Sequence, residues 1–370
     1  AAAAAAAADA EVQRKVVVGA RFDQTSSRSL AALAGLAALV LAVVGTACLA
    51  PRLVGSSKAP LKDAGLSSRS GSNASTTAST GDSWAPEELT QAGTYDLRVF
   101  RNGKLLGCAS PASRFPAQAK YSCAGKFSEK SRCDAVSHPV KDTEYVKAVH
   151  DGCETSGGGG TYGYPFDDKI GLRQCAPLTR YEWVLCAEGS EGSPDWKTEA
   201  GPDNSTRRFR VANRCKEDFW VQQVGRRLPH EPELKLLMSG EHHTFAIPDR
   251  GHPAATFIPK KGCDSTGHHC AAESSAVPGI DTRFGASWGC LAAEGDSGDS
   301  ERCARTAEGQ TSSYVDFWDA SAVKGWTVPF SILVDSGTKD RNAACRSVVC
   351  AKLDAARLCP RAEFLTPLIM

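Results

Sequence analysis

Fourteen of the fifteen cysteines in this 370-residue chain fall between Cys108 and Cys359, and few folds accommodate that many in so short a span. An even set confined to one region reads as a disulfide framework built in an oxidising compartment. Cys48 stands apart, inside an apolar segment. Thirty-four Gly, 19 Pro and only two Met, with polar clusters between short apolar runs, point to many strands and turns. A net charge of +1 gives no electrostatic reason to expect nucleic acid as a partner.

The apolar segment, "LAALAGLAALVLAVVGTACLA" at residues 30–50, carries no charge and approaches the ~20 residues that span a bilayer as helix. Arg14, Lys15, Arg21 and Arg28 precede it, within a leader at 1–29 that opens on a low-complexity alanine run. By the positive-inside tendency the rest of the chain faces outward. Two readings stay open: a type II membrane anchor, or a signal peptide cleaved after the small residues at 45–47. Either predicts a cell-surface or extracellular protein. Residues 51–93 are too polar to bury a core and read as a flexible stalk, with a glycosylation sequon at Asn73. A second sequon, Asn204-Ser205-Thr206, lies in a polar stretch at 187–207 that reads as a linker.

Period-two alternation marks strands on both sides of that linker. Tyr181, Trp183 and Leu185 alternate in "YEWVLC"; Phe209 and Val211 do so in "FRVANRC". Trp326, Val328, Phe330, Ile332 and Val334 share a face, with Pro329 on the other side suggesting an edge or bulge. A helix is expected only around 142–152, where Tyr145, Val146 and Val149 share a side and Gly152 can end it. The fold class is therefore all-β, a sandwich with disulfide-tied loops.

"RFRVANRCKEDFWV", "LMSGEHHTFAI", "DFWDASAVKGWTVPF" and "CRSVVCAKLDAARLCP" resemble, in order, the front half of the thaumatin-like proteins. "YDLRVFRNGKLLGCASPASRF", "AKYSCAGKFSEKSRC", "DTEYVKAVHDGC" and "YGYPFDD" through "YEWVLC" are similar to the back half, yet lie upstream. The resemblance implies one domain in circularly permuted order. Its C-terminal half is 94–186, its N-terminal half 208–363, and a short tail covers 364–370. Pieces of two tandem domains are the rival arrangement. Close termini, joined here through 187–207, are the condition under which permutation is tolerated. Carried over position by position, the family's bridges pair Cys186 with Cys215, Cys263 with Cys270, Cys290 with Cys303, and Cys123 with Cys133. Three more pair Cys108 with Cys359, Cys153 with Cys350, and Cys175 with Cys345. One further family bridge is lost at both ends, to Ala112 and Ser122.

The resemblance also implies an acidic cleft that binds β-1,3-glucans. Its arginine position is Lys260, its glutamate Glu308, and two of its aspartates are Asp319 and Asp167, with Asp168 beside the latter; the last aspartate position is Lys324. Trp318 and Trp326 lie close enough in sequence to stack on a sugar. The implied function is recognition of a polysaccharide or cell-surface glycan, in defence. The alternatives are a weak endo-β-1,3-glucanase using Glu308 with Asp319 or Asp167, and a protein-binding ectodomain or protease inhibitor. Hydrolysis needs one protonated and one ionised carboxyl, and a lysine at 324 is expected to favour ionised forms. For Asp319 and for Asp167–Asp168, a turn-forming role competes with ligand contact. No cofactor or metal is expected: the His242-His243 and His268-His269 neighbours do not share a face on a strand. "GDSGD" at 295–299 resembles a serine-protease loop without the accompanying His and Asp segments, and "GGGG" at 157–160 precedes a strand rather than a helix.

Overall fold

The computed structural model describes residues 94–153, 160–189, 193–271, 279–291, 303, 314–336 and 345–365. The segment at 30–50, the stalk, Asn73, Glu308 and the 295–299 loop lie outside the described residues. Among the described residues, no helix is long and apolar enough to cross a membrane.

In chain order the strands are β1 (Thr94–Tyr95), β2 (Arg98–Arg101), β3 (Lys104–Cys108), β4 (Leu172–Cys175), β5 (Arg180–Leu185), β6 (Glu199–Ala200), β7 (Ser205–Asn213) and β8 (Phe219–Gly225). They continue with β9 (Leu234–Leu237), β10 (His242–Pro248), β11 (His252–Lys261), β12 (Asp281–Trp288), β13 (Asp316–Lys324), β14 (Phe330–Asp335), β15 (Val348–Cys350) and β16 (Glu363–Phe364). One six-stranded sheet runs β10-β7-β5-β14-β15 with β6 beside β7, and the other runs β4-β13-β12-β11-β8-β9. The pairs β1-β16 and β2-β3 form two small ribbons.

The alternation read in the sequence buries one face of each large sheet against the other. Tyr181, Trp183 and Leu185 on β5, Phe209 and Val211 on β7, and Phe330 and Ile332 on β14 meet Phe257, Phe284, Trp288 and Trp318 from the second sheet. Phe209 is central to this core, with its ring 4.5 Å from Phe284 and 4.7 Å from Phe257. Full burial of aromatics of this size contributes about 1.5–3 kcal/mol each, so these rings fix how the sheets pack.

A buried ion pair ties the same interface. Arg208 and Asp316 are both almost inaccessible, with guanidinium-to-carboxylate distances of 2.5 and 3.0 Å. The Tyr181 hydroxyl and the Gly289 N–H also donate to Asp316, so both carboxylate oxygens are satisfied. That is the condition under which a buried charge is tolerated.

Strands β5 and β7 are neighbours in the sheet and pair in parallel, from Tyr181 with Phe209 to Leu185 with Asn213. Parallel neighbours cannot be joined by a tight hairpin, so the chain must return along the sheet before β7 begins. This return is not a free tether. Trp196 packs against the Arg180 and Arg210 guanidiniums, Asp195 pairs with Arg210 at 3.0 Å, and β6 extends the sheet by pairing with β7. The outer face of β5 and β14 gains a small second core from Val184, Ala187 and Leu333.

The helix expected around 142–152 is Glu144–Gly152. Thr143 caps it by accepting the Val146 N–H at 3.3 Å, and Tyr145, Val146 and Val149 are buried. It is not the sole helix, as the sequence pattern led us to expect. Four-residue turns of helix also form at Pro111–Arg114, Asp168–Gly171 and Ala355–Leu358, with a five-residue one at Lys130–Asp134. Such short turns carry no helical periodicity to read, because disulfides and neighbouring loops rather than an apolar stripe hold them.

Seven disulfides join Cys108–Cys359, Cys123–Cys133, Cys153–Cys350, Cys175–Cys345, Cys186–Cys215, Cys263–Cys270 and Cys290–Cys303. They coincide with the pairs that the resemblance implies. Four of them link residues before the 187–207 stretch to residues after it. Such a framework forms and persists in an oxidising environment.

Candidate functional site

The outward face of the second sheet carries the candidate residues. In the ladder, Asp319 of β13 lies opposite Gly285 of β12, which lies opposite Thr256 of β11. Side chains alternate along a strand, so Asp319 and Ser321, Arg283 and Gly285, and Thr256, Ile258 and Lys260 share this face. Across the strand from Asp319 the Gly285 position has no side chain. A Cβ there would stand 2.8 Å from Asp319 Oδ1, so the glycine opens the space that the carboxyl occupies.

The segment 160–171 covers one flank of Asp319. Tyr162 N–H donates to the Ala320 carbonyl and Ala322 N–H donates to the Tyr162 carbonyl, which pins this segment beside β13. The Tyr162 ring fits against Gly171, where a Cβ would overlap it, and its hydroxyl donates to Asp168 Oδ1 at 2.7 Å. Two chain segments about 150 residues apart thus bring Asp168 and Asp319 to one place.

Asp319 is partly accessible, with Gly285 on one side and the 160–171 segment on the other; we refer to this place as the recess. Burial, and then the negative charge of Asp168, push its pKa up to about 7, against a smaller opposing pull from Arg283. At neutral pH a substantial fraction of Asp319 carries a proton. The Tyr162 hydroxyl is likewise held well above its ordinary range, first by burial and then by Asp319 and Asp168. With the Tyr162 proton already given to Asp168 in a hydrogen bond, the protonated Asp319 carboxyl is the donor and the Asp168 carboxylate the acceptor that can meet vicinal alcohols.

Asp167 sits next to this group but is spent locally. It is 6 % exposed, and its Oδ2 accepts the Gly163 N–H at 3.0 Å and lies 2.7 Å from His150 Nε2. The turn-forming role weighed for Asp167 is the one its contacts support. His150 comes from the helix Glu144–Gly152, so the pair clamps that helix to the recess wall.

The remaining sequence candidates are spread out. Lys260 lies four residues along β11 from Thr256, roughly 13 Å along the strands and ~10 Å across them from Asp319 at standard strand spacing. Lys324 stands opposite Asp281 at the end of β13, five residues from Asp319. The cation that acts on Asp319 is Arg283, which also donates to Asp281 at 3.0 Å, so the expected ionising effect of a lysine at 324 is not what governs this carboxyl. Trp318 and Trp326 are corrected as sugar platforms. Both are 0 % exposed, the Trp318 indole N–H pointing at Cys175 Sγ and the Trp326 ring packing on Tyr145. Even-numbered positions of β13 face the core, which the strand alternation beginning at Asp316 records. Partly exposed aromatics on the outward face are instead Phe317 and Trp220, the latter directly opposite Lys260.

Among the described residues no cluster of His, Cys, Asp or Glu has the arrangement of a metal site. His243 lies 2.8 Å from Glu231, and His269 lies 2.7 Å from Asp264 in the loop closed by Cys263 and Cys270. Arg283, Tyr162 and His150 escaped sequence reading because each acts through a contact that only the folded chain makes. No family model, curated protein or solved structure matches the chain.

Proposed function

We propose that the folded body is a thaumatin-like domain with its two halves in exchanged order, and that the recess over Asp319 binds an extracellular glycan of the β-1,3-glucan type. The observation that carries the reading is the convergence of Asp168, the Tyr162 hydroxyl and Asp319 beside the side-chain-free Gly285 on the outward face of the second sheet. The identity of the seven disulfide pairs with those the family resemblance implies supports the domain assignment. Lys260 and Trp220, a few sugar lengths along the same face, suit a chain rather than a single sugar. The protein is displayed outside the cell, anchored through 30–50 or released by cleavage there.

One observation favours a second reading, a weak endo-β-1,3-glucanase. A carboxyl with its pKa raised to about 7 next to another carboxylate is the pairing that glycoside hydrolysis requires. Asp319 is then the acid, with Asp168 as its partner. Retention of the full-length protein on insoluble β-1,3-glucan, lost in Asp319→Asn, is the expected result; equal retention of wild type and variant removes the recess from the binding site. Release of reducing ends from soluble β-1,3-glucan separates hydrolysis from binding.

A further inference from the structure

The sequon at 204–206 straddles the end of the return segment and the start of β7. Asp203 and Asn204 both adopt left-handed backbone, φ +48° and +53°, at an exposed corner just before β7. Asp, Asn and Gly tolerate that region best, so the corner selects residues of this type. Every neighbour of Asn204 is tied down. Asp203 lies 3.0 Å from His230 Nε2, the Ser205 hydroxyl donates to the Pro202 carbonyl, and the Asp249 N–H donates to the Asn204 carbonyl at 2.9 Å. The Asn204 carboxamide itself is exposed and makes no hydrogen bond among the described residues. The body around it carries seven disulfides, so the chain matures in an oxidising compartment of the kind where asparagine-linked sugars are added.

We propose that Asn204 carries an N-linked glycan, and that the glycan is attached before β7 docks into its sheet. In the transfer, Asn204 Nδ2 bonds to the anomeric carbon of the first sugar of a lipid-diphosphate-linked oligosaccharide. The bond from that carbon to the diphosphate oxygen breaks, the lipid diphosphate leaves with the electron pair, and Nδ2 loses one proton. The order of events comes from the third residue of the motif. The transferase requires a hydroxyl two residues after the asparagine, and in the folded protein the Thr206 hydroxyl donates to Asp249 Oδ1 at 2.7 Å. Thr206 is also held in β7 opposite Ile247 and Ala200, and Ser205 is buried. The finished fold therefore presents the asparagine while withholding the hydroxyl.

The test uses the full chain secreted from a eukaryotic cell, with Asn73→Gln to remove the other sequon. Peptide N-glycosidase is expected to lower its mass and convert Asn204 to Asp, and Asn204→Gln is expected to show no such change. An unmodified Asn204 peptide in the Asn73→Gln protein overturns the site. For the timing, unglycosylated protein is incubated with microsomal membranes and the lipid-linked donor, folded or after reduction and alkylation. Transfer to the unfolded chain only is expected; equal transfer to the folded protein overturns the order, while leaving the site intact. Thr206→Ser, which keeps the hydroxyl, is expected to retain the glycan and Thr206→Val to lose it.

Discussion

Glu363 accepts the backbone N–H of Tyr145 at 2.7 Å, from 218 residues away. It also accepts the Glu144 N–H at 3.3 Å, so a side chain from β16 completes the cap of the helix Glu144–Gly152. Those N–H groups have no partner within the helix, and a buried helix start left without one is costly. Glu363→Ala is therefore expected to lower stability by about 1–3 kcal/mol, read as a drop in the urea midpoint.

The same carboxyl links stability to pH. Burial pushes the Glu363 pKa up to about 7 from an ordinary 4.5, outweighing the two N–H bonds that pull it down. Between those values the folded state holds a proton that the unfolded chain releases. The contribution is thus fully present below about 4.5 and lost as pH rises through 7. Glu363→Gln cannot ionise, so its stability relative to wild type is expected to improve between pH 4.5 and 7.5. A difference that is flat with pH refutes the assignment.

Removing one member of the buried pair Arg208–Asp316 leaves the other charged and unpaired in the core. Arg208→Leu or Asp316→Ala is expected to cost about 3–5 kcal/mol, measured by denaturant unfolding or by loss of secreted protein. Replacing both with apolar residues is expected to recover much of that loss.

How much of this was legible in the sequence depended on whether the cause was local. The strands bearing Tyr181, Trp183, Phe209 and Phe330 could be read because alternation is a property of neighbouring residues. The helix Glu144–Gly152 could be read for the same reason. The recess could not: Asp319 and Asp168 were visible as candidates, but the opening at Gly285, the Tyr162 hydroxyl and the control by Arg283 exist only once β12, β13 and 160–171 meet. Trp318 misled because nearness in sequence to Asp319 means the opposite face of a strand. Asp167 was legible as a candidate but not as a clamp, since its partner His150 belongs to the preceding helix.

The space at Gly285 gives a direct test of the recess. Gly285→Ala places a methyl 2.8 Å from Asp319 Oδ1, forcing the carboxyl to move without altering any charge. Affinity for β-1,3-glucan is expected to fall on the order of tenfold, about 1.4 kcal/mol, with the fold retained. Unchanged affinity in a folded variant places the glycan elsewhere.

A non-reducing peptide map is expected to recover Cys108 with Cys359, Cys153 with Cys350, and Cys175 with Cys345. Replacing both Cys153 and Cys350 by Ala is expected to cost about 2–5 kcal/mol. Peptides that pair only within 94–186 or only within 208–363 contradict the architecture.

The four bridges that straddle the 187–207 return also decide what a protease can do to this molecule. A single cut within that loop severs the polypeptide but liberates nothing: the product is a two-chain protein of unchanged mass apart from one added water. Reductant is then needed to part the fragments on a gel, so clipped and intact forms run together until thiol is added.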